Sequence, residues 1–257
     1  MIVDAHQHFW DPATADYPWL TDDVAPLRRR FGPEDLEPEL RAHDVTGTVV
    51  VQARHSLDET RELLALAAAT PFVLGVVGWV DLTRDVRPQL VELEGPLVGV
   101  RHQVHDEPDP AWLLREDVQR GIAAVGAAGL AFDLLVRTRE LPAALATAKR
   151  HPDVRFVLDH VAKCPRNPAE RVDWAAGVRA LAELPNVTCK LSGLFTEGDP
   201  TGTAERARAW FGAGRCMFGS DWPVCLLACE YGDTLAVAGD GADVLGRTAV
   251  RTYELRV

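Results

Sequence analysis

Several kinds of motif are missing from this chain of 257 residues, and each absence narrows its function. No apolar run approaches the roughly 18 residues that a membrane-spanning helix needs. The sequence has no Gly-rich phosphate loop, no dinucleotide-binding fingerprint and no Gly-x-Ser-x-Gly elbow. We therefore expect neither a membrane protein, nor a nucleotide-binding protein built on these loops, nor an enzyme with an elbow serine.

Cysteine is scarce and unpatterned. The five cysteines are an odd number and form no Cys-x-x-Cys pair, which argues against a disulfide framework and against a structural zinc site. Cys225 and Cys229 stand four apart, and we expect them to be packing residues.

Positive charge is in deficit, since 27 Lys and Arg oppose 38 Asp and Glu and give a net charge of −11. Nucleic acids and anionic membranes attract positive surfaces, so neither is expected as the main partner. The first residues have no basic segment, and Asp4 interrupts their apolar run. We expect a cytoplasmic protein whose partner is a small-molecule substrate and which can form a homo-oligomer.

Short apolar runs rich in β-branched residues recur along the whole chain. They cover residues 2–9, 46–53, 72–80, 97–104, 132–136, 154–161, 187–191 and 216–219. Most show no polar alternation, which is typical of parallel strands covered on both faces. The sequence therefore predicts a series of eight buried parallel strands.

Helical patterns fill most of the gaps between these runs. Ser56 and Glu59 have capping-box spacing ahead of a leucine-rich stretch. Asp109 marks another helix start, with a stop at Gly129. Because strand and helix alternate throughout, we predict an α/β fold, a (β/α)8 TIM barrel that forms a single domain over residues 1–257. An open, doubly wound sheet is the alternative, but the Gly-rich loop that it commonly carries is missing.

One stretch breaks this alternation. Residues 10–45, between the first two runs, are rich in Pro, Asp and Arg and are too long for one simple helix. Long loops in compact domains are commonly functional. We predict a long, lid-like loop excursion after the first strand, ending in a helix around residues 34–43.

Polar side chains close most of the predicted strands, where the active sites of (β/α)8 barrels lie. His6 and His8 are two apart and point to one face of a strand, so they can hold a divalent cation or clamp a carbonyl oxygen. Asp4 has the same parity and is predicted to orient His6 from one layer deeper. A pair of hydrogen-bonded structural histidines is the alternative interpretation.

Two further strand ends carry groups that can move a proton. Asp221 precedes Trp222-Pro223 in a tight turn, where a carboxylate can take a proton from water or simply cap the turn. His160 closes the sixth run and is a candidate ligand, acid or core histidine.

Other strand ends are also polar, as a pocket over a packed barrel requires. They include Gln52, Arg101, His102, Arg137 and Lys190. Arg and Lys can bind an anionic or hydroxyl-rich substrate or remain solvated at the rim. Trp222 can stack on a sugar ring or pack in the core. His43, His105 and His151 fall in helices or loops and are expected at the surface.

The motifs also form an ordered set. They are DAHQHFWDP (residues 4–12), VVVQA (49–53), GVRH (99–102), FDLLVR (132–137), FVLDH (156–160), KLSGL (190–194) and FGSDWPV (218–224). This set resembles the lactonase-like group of the amidohydrolase superfamily, whose members are related to L-fuconolactonase, L-rhamnonolactonase and 2-pyrone-4,6-dicarboxylate lactonase. The resemblance covers nearly the whole chain.

The resemblance implies a barrel that hydrolyses the lactone ring of a sugar acid. It implies a site built from His6, His8, His160 and Asp221, with Asp221 as the base for the attacking water. It implies looser substrate contacts at Gln52, Arg101, His102 and Lys190. The fifth run offers no histidine, so a binuclear centre is not expected. One divalent cation, zinc first, held by His6, His8 and Asp221, is one form of the hypothesis; polarisation by His and Arg without a metal is the other.

Two other functions remain as alternatives: a mononuclear-metal decarboxylase or C–C hydrolase of the same superfamily, and a non-catalytic barrel that binds a sugar acid. The chain departs from the family pattern in a short segment at residues 195–212 and in its closing element, GRTAVRTY at 246–253. The four retained candidates, His6, His8, His160 and Asp221, favour catalysis, because a binding protein needs no carboxylate that activates water.

Overall fold

Eight parallel strands form one sheet that curves into a nearly closed barrel. The computed structural model describes all 257 residues. The strands are β1 (Val3–Gln7), β2 (Gly47–Val51), β3 (Val73–Gly78), β4 (Leu97–His102), β5 (Ala131–Leu134), β6 (Phe156–Leu158), β7 (Val187–Leu191) and β8 (Cys216–Phe218), and each pairs with the next. Every strand overlaps one of the predicted apolar runs, so the prediction of a (β/α)8 barrel is confirmed.

The helices connect these strands. They are α1 (Pro33–Ala42), α2 (Leu57–Ala69), α3 (Val86–Val91), α4 (Glu116–Ala127), α5 (Leu141–Arg150), α6 (Arg171–Ala182), α7 (Leu194–Glu197), α8 (Pro200–Phe211), α9 (Tyr231–Ala238) and α10 (Thr248–Tyr253). None of them combines the length and the apolar character needed to cross a bilayer.

Two helix starts differ in detail from the prediction. Ser56 caps α2 by accepting a hydrogen bond from the Glu59 N–H at 3.2 Å. The Glu59 carboxylate does not return to the cap, as a capping box requires; it accepts from the N–H groups of Ala53 and Arg54 after β2, at 3.1 and 3.0 Å. The helix predicted to follow Asp109 starts later, as α4, after a short 3-10 turn. Glu59 therefore braces the corner between β2 and α2.

The excursion after β1 contains a 3-10 segment and then α1, close to the predicted position. Its centre is an aromatic cluster in which the Trp10 ring lies 5.0 Å from Trp19 and 5.4 Å from Phe31. The Trp19 indole donates to the carbonyl of Ala53 at 2.8 Å. This bond ties the excursion to the carboxyl end of β2, at the mouth of the barrel.

Two apolar clusters form the core. The larger one packs the helices around the sheet. The smaller one collects residues from strands on all sides of the barrel, such as Val3, Val77 and Val157, and therefore lies inside it. Tyr253 and Leu255, at the end of the chain, belong to this inner cluster. The C-terminal segment thus packs against the barrel interior. Four of the five cysteines are buried, and all five are free thiols.

The barrel closes between β1 and β8 through backbone bonds just beyond the end of β8. The Asp221 N–H donates to the carbonyl of His6 at 2.8 Å, and the His8 N–H donates to the carbonyl of Trp222 at 2.8 Å. The strand register of β1 is irregular between Asp4 and Gln7. This seam sets two predicted histidines beside the predicted base.

Candidate active site

Four predicted residues meet at the seam: His6, His8, His160 and Asp221, which we call the seam cluster. The Nε2 atoms of His6 and His8 are 3.2 Å apart. Asp221 Oδ1 lies 3.7 Å from His6 Nε2 and 3.3 Å from His8 Nε2. Each side chain is nearly or fully buried. The structure therefore gathers three donor atoms around one point.

This arrangement fits a metal ion. His8 Nδ1 lies 2.7 Å from the carbonyl oxygen of Val51, so it carries the ring proton and leaves the Nε2 lone pair free. Two ligands at about 2.0–2.1 Å from one tetrahedral zinc are about 3.3–3.4 Å apart, close to the spacings observed here. Three electron-rich atoms in contact would repel one another without a proton or a cation between them. His6, His8 and Asp221 are thus a candidate metal-binding set.

His160 reaches the site on a left-handed turn that follows β6. The four residues from His160 to Lys163 all have positive φ, near 50°. Such backbone is costly for residues other than glycine, and it occurs mainly where surrounding structure enforces it. The buried indole of Trp174 donates to the carbonyl of Val161 at 2.8 Å and holds the turn. His160 Nδ1 lies 2.9 Å from the hydroxyl of Ser192, while Nε2 has no hydrogen-bond partner in the protein.

Burial and charge set the ionisation of the seam cluster. Burial by itself raises the pKa of the Asp221 carboxyl, but His160, His8 and His6 together hold that pKa well below its usual value. Burial lowers the pKa of His160 to about 4 and the pKa of His6 well below 6.5, although neighbouring carboxylates oppose this shift. Near neutral pH the cluster therefore pairs an ionised Asp221 carboxylate with neutral imidazoles at His6 and His160.

A layer of four charged residues lies under the seam cluster. We call Arg101, Asp159, Lys190 and Asp133 the charge ladder. Arg101 Nη1 is 3.1 Å from Asp159 Oδ2, and Lys190 Nζ is 3.2 Å from Asp159 Oδ1 and 2.5 Å from Asp133 Oδ2. The Tyr253 hydroxyl lies 2.9 and 2.8 Å from the two Asp133 oxygens. The ladder alternates in sign and is almost fully buried.

Lys190 and Gln52 lie deeper than the sequence suggests. Lys190 is fully buried and does not line the cavity at the barrel mouth. Gln52 is also fully buried, and its Oε1 accepts from Arg101 Nη2 at 3.1 Å. The structure therefore sets both predicted substrate contacts behind Arg101 and His6, where they support other side chains.

His102 is enclosed by other rings. It stacks on Trp112 at 4.1 Å and on His55 at 4.0 Å, and it accepts from the Trp79 indole at 3.1 Å; we call these four residues the stacked cluster. Its other nitrogen, Nε2, lies 2.7 Å from Glu107 Oε1. Both ring nitrogens of His102 are thus used by the protein. Neighbouring strand residues point to opposite faces, so Arg101 and His102 cannot both face the site.

Two other expectations are corrected by the structure. Asp4 does not orient the His6 ring, because the irregularity in β1 turns its carboxylate towards the Ser220 hydroxyl and the Tyr231 hydroxyl, at 2.6 and 3.0 Å. Trp222 is 2% exposed and packs against Phe31 beneath the excursion, away from the cavity. Asp4 instead secures the end of β8, next to Asp221.

A cavity of about 190 Å³ opens over the seam cluster. His8, Arg101, His160 and Asp221 line it, together with residues that sequence reasoning missed or set aside: Trp19, His105 and Lys163. Of His43, His105 and His151, expected at the surface, His105 is the one that lines the cavity, because a short 3-10 turn after β4 returns it to the mouth. Arg137 instead pairs with Glu197 at the half-exposed rim.

A second set of possible ligands, His6, Asp159 and His160, overlaps the first. Arg101 and Lys190 both pair with Asp159 and already balance its charge. Although burial alone raises the pKa of Asp159, these cations and His6 hold it well below its usual value. The second set is therefore the weaker candidate for a metal-binding set.

Comparison with known proteins identifies the family of the chain. The family described as Amidohydrolase matches residues 3–255. An L-fucono-1,5-lactonase of Burkholderia ambifaria is 43% identical over 241 residues, which cover 90% of this chain and 83% of that protein. An L-fucono-1,5-lactonase of Burkholderia multivorans is 38% identical over 98% of this chain and 96% of its own length.

A solved structure extends the likeness to three dimensions. A crystal structure of an amidohydrolase from Burkholderia multivorans with bound zinc superimposes with a TM-score of 0.93. It is 36% identical in sequence, and the match covers 100% of both chains.

Proposed function

Because the chain belongs to the amidohydrolase family, we propose that it hydrolyses the lactone ring of a sugar acid, an aldonolactone. The chain is a hydrolase of this family, and its two lactonase relatives support the choice of a cyclic ester, since they match nearly its whole length. Acid release is the expected chemical outcome. No residue of the site specifically favours a decarboxylase or a non-catalytic barrel.

The observation that carries the proposal is the convergence of His6 Nε2, His8 Nε2 and Asp221 Oδ1 on one point at the cavity floor. We propose that these three residues hold one divalent cation, zinc first, which supplies Lewis-acid polarisation of the lactone carbonyl when bound. The zinc in the Burkholderia multivorans structure supports this choice.

Asp221 is the proposed base. Oδ1 faces the histidine pair, whereas Oδ2 lies on the side of Gly193 and His160. A water molecule in the cavity can give its proton to this carboxylate as it attacks the carbonyl carbon. The same proton can then pass to the ring oxygen as the C–O bond breaks, which yields the open hydroxy acid.

His160 and Arg101 complete the proposed mechanism. With a pKa of about 4, lowered by burial, His160 is neutral near pH 7, so it serves to position the water through its free Nε2 rather than to donate a proton. Arg101 lines the cavity, and Gln52 and Asp159 fix its guanidinium beside the cavity floor. From there it can stabilise charge that develops on the carbonyl oxygen.

The test is acid release from a panel of aldono-1,5-lactones, aldono-1,4-lactones and aromatic-acid lactones, followed with a pH indicator. Each substrate runs beside Asp221→Asn, because lactones also open unaided. We expect rapid opening of a sugar lactone and a loss of about 10²–10⁴-fold in kcat in the variant. Wild-type turnover in folded Asp221→Asn would remove its role as base. Carbon dioxide release from an aromatic acid, with no lactone opened, would replace the proposal with a decarboxylase.

A further inference from the structure

His6 has competing partners on both ring nitrogens, although its ring is fully buried. Around Nδ1, the Lys190 ammonium lies at 3.2 Å and Asp159 Oδ1 at 3.4 Å. Around Nε2, Arg101 Nη1 and His8 Nε2 both lie at 3.2 Å. Each nitrogen thus faces one group that can only donate and one group that can only accept.

These distances allow two hydrogen-bond patterns for a neutral ring. With the proton on Nε2, His6 donates to His8 Nε2 and accepts from Lys190 at Nδ1. With the proton on Nδ1, His6 donates to Asp159 and turns the Nε2 lone pair towards His8 and Asp221. Only the second pattern presents both histidine lone pairs to a cation, because a protonated nitrogen cannot be a ligand.

The second pattern supplies a hydrogen-bond donor to the carboxylate of Asp159. This carboxylate is fully buried, and its Oδ2 accepts from Arg101 at 3.1 Å. Its Oδ1 makes no aligned hydrogen bond, although Lys190 Nζ lies 3.2 Å away. A buried acceptor without a partner is costly, so Asp159 Oδ1 favours a proton on the facing nitrogen of His6.

We propose that two tautomers of His6 compete. Without a cation, Lys190 and His8 keep the proton on Nε2 through their 3.2 Å contacts with the ring; with a cation bound, Asp159 is the positioning residue that selects the proton on Nδ1. When the cation binds, the His6 ring stays neutral, because one proton leaves Nε2 for the solvent and another is taken up at Nδ1. Asp133 holds Lys190 at 2.5 Å and is itself held by Tyr253, so the competing donor is fixed from the C-terminal segment. The inference rests on the cation site of the proposed function and is independent of the substrate.

The test reads the tautomer directly. Protein labelled with ¹⁵N histidine is stripped with a chelator and then titrated with zinc, and the His6 resonances are assigned by their loss in His6→Gln. We expect the proton on Nε2 in stripped protein and on Nδ1 after zinc is added. A proton on Nδ1 in both states, or on Nε2 in both, overturns the inference without any need for a variant at Asp159.

Asp159→Asn tests the energetic consequence. We expect its zinc Kd, measured by chelator competition, to rise about 10–100-fold, the usual effect of losing the partner of a ligating histidine. The matched control is Glu59→Gln, which removes another buried carboxylate that does not contact His6 and leaves the Kd within about twofold. Wild-type affinity in folded Asp159→Asn contradicts the inference. A tautomer that follows zinc in a protein that opens no lactone would overturn the proposed substrate and leave this inference standing.

Discussion

Two groups of histidines lie at the mouth of the barrel and differ in what their nitrogens contact. His160 in the seam cluster and His102 in the stacked cluster are 4% and 5% exposed, and burial lowers the pKa of each to about 4. His160 keeps Nε2 without a partner in the protein, whereas His102 uses both nitrogens on Trp79 and Glu107. Burial and the direction of the pKa shift therefore do not distinguish these two histidines. What separates His160, which the proposed mechanism uses, from His102 is a ring nitrogen without a partner in the protein.

The carboxylates on the two sides differ in the same manner. Asp221 faces three imidazoles, which hold its pKa well below the usual value. Glu59, beside the stacked cluster at the end of β2, faces only backbone N–H groups, and burial raises its pKa to about 7. The surroundings of these two buried carboxylates thus decide the direction of the pKa shift, which is downward at Asp221 and upward at Glu59.

The largest expected effect separates the two histidine groups by activity. His8→Gln should lower kcat/KM by about 10²–10⁴-fold, because it removes a group that the proposed chemistry contacts. His102→Gln should stay within about threefold of wild type, since His102 offers no free polar atom to a substrate. Lactone hydrolysis by the two purified proteins, with matching circular dichroism spectra, checks this pair. Equal losses in both variants would erase the distinction.

A smaller loss is expected from crowding the seam cluster without removing any of its residues. Gly193 has a φ of 61°, and a Cβ there would lie 2.7 Å from His160 Nδ1 and 3.0 Å from Asp221 Oδ2. Gly193→Ala should displace these groups and reduce kcat about 10²-fold, as small misplacements in active sites do. Gly129 also has a positive φ, but a Cβ there would have no atom within 4 Å. Gly129→Ala is therefore the control that carries the backbone strain of the substitution without the crowding. Similar kcat values in the two variants would argue against the crowding.

Glu59, at the end of β2, should make the free energy of unfolding depend on pH. Its pKa rises from 4.5 to about 7 on folding, so unfolding releases a proton between these values and stability falls as pH increases. Glu59→Gln should flatten this slope, which amounts to at most about 3 kcal/mol over the interval. Urea unfolding at pH 5 and pH 8 measures the difference. A slope that is unchanged in the variant would assign the pH dependence to other groups.

The smallest effect concerns the stacked cluster. His102→Phe keeps a flat ring between His55 and Trp112 but leaves Trp79 and Glu107 without their partner. We expect a loss of about 1 kcal/mol in the free energy of unfolding, near the low end for lost hydrogen bonds, because both partners remain partly exposed. The loss should appear in the urea midpoint while kcat is retained. A large fall in kcat would instead give His102 a direct role in the reaction.

Much of the fold follows from local pattern. Unbroken apolar runs such as the one at β3 are typical of strands covered on both faces, and their alternation with helices then predicts a barrel. Because active sites of such barrels lie at the carboxyl ends of strands, the same pattern places His6, His8, His160 and Asp221 near one another. These inferences need only period and chain order.

The contacts between side chains could not be predicted from hydrophobic periodicity and chain order. One irregularity in β1 turned Asp4 away from His6, since a shift of a single residue moves a side chain to the other face. The sequence predicts Lys190 as a substrate contact. In the structure its ammonium instead lies below His6, where it pairs with Asp133, which is held by Tyr253; both residues are distant from Lys190 in the chain. The alternation of faces along β4 could have warned that Arg101 and His102 point apart.

The order of residues along the chain is enough to establish an eight-stranded barrel and which side chains stand at its mouth, because hydrophobic periodicity is a local property of the chain. Only the folded structure decides which nitrogens are free and which carboxylates are ionised. Those properties depend on contacts within about 4 Å between residues that lie far apart in sequence. In the sequence, His160 and His102 are both histidines at the end of a predicted strand. Their neighbours in the folded structure make His160 a candidate catalytic residue and give His102 a structural role.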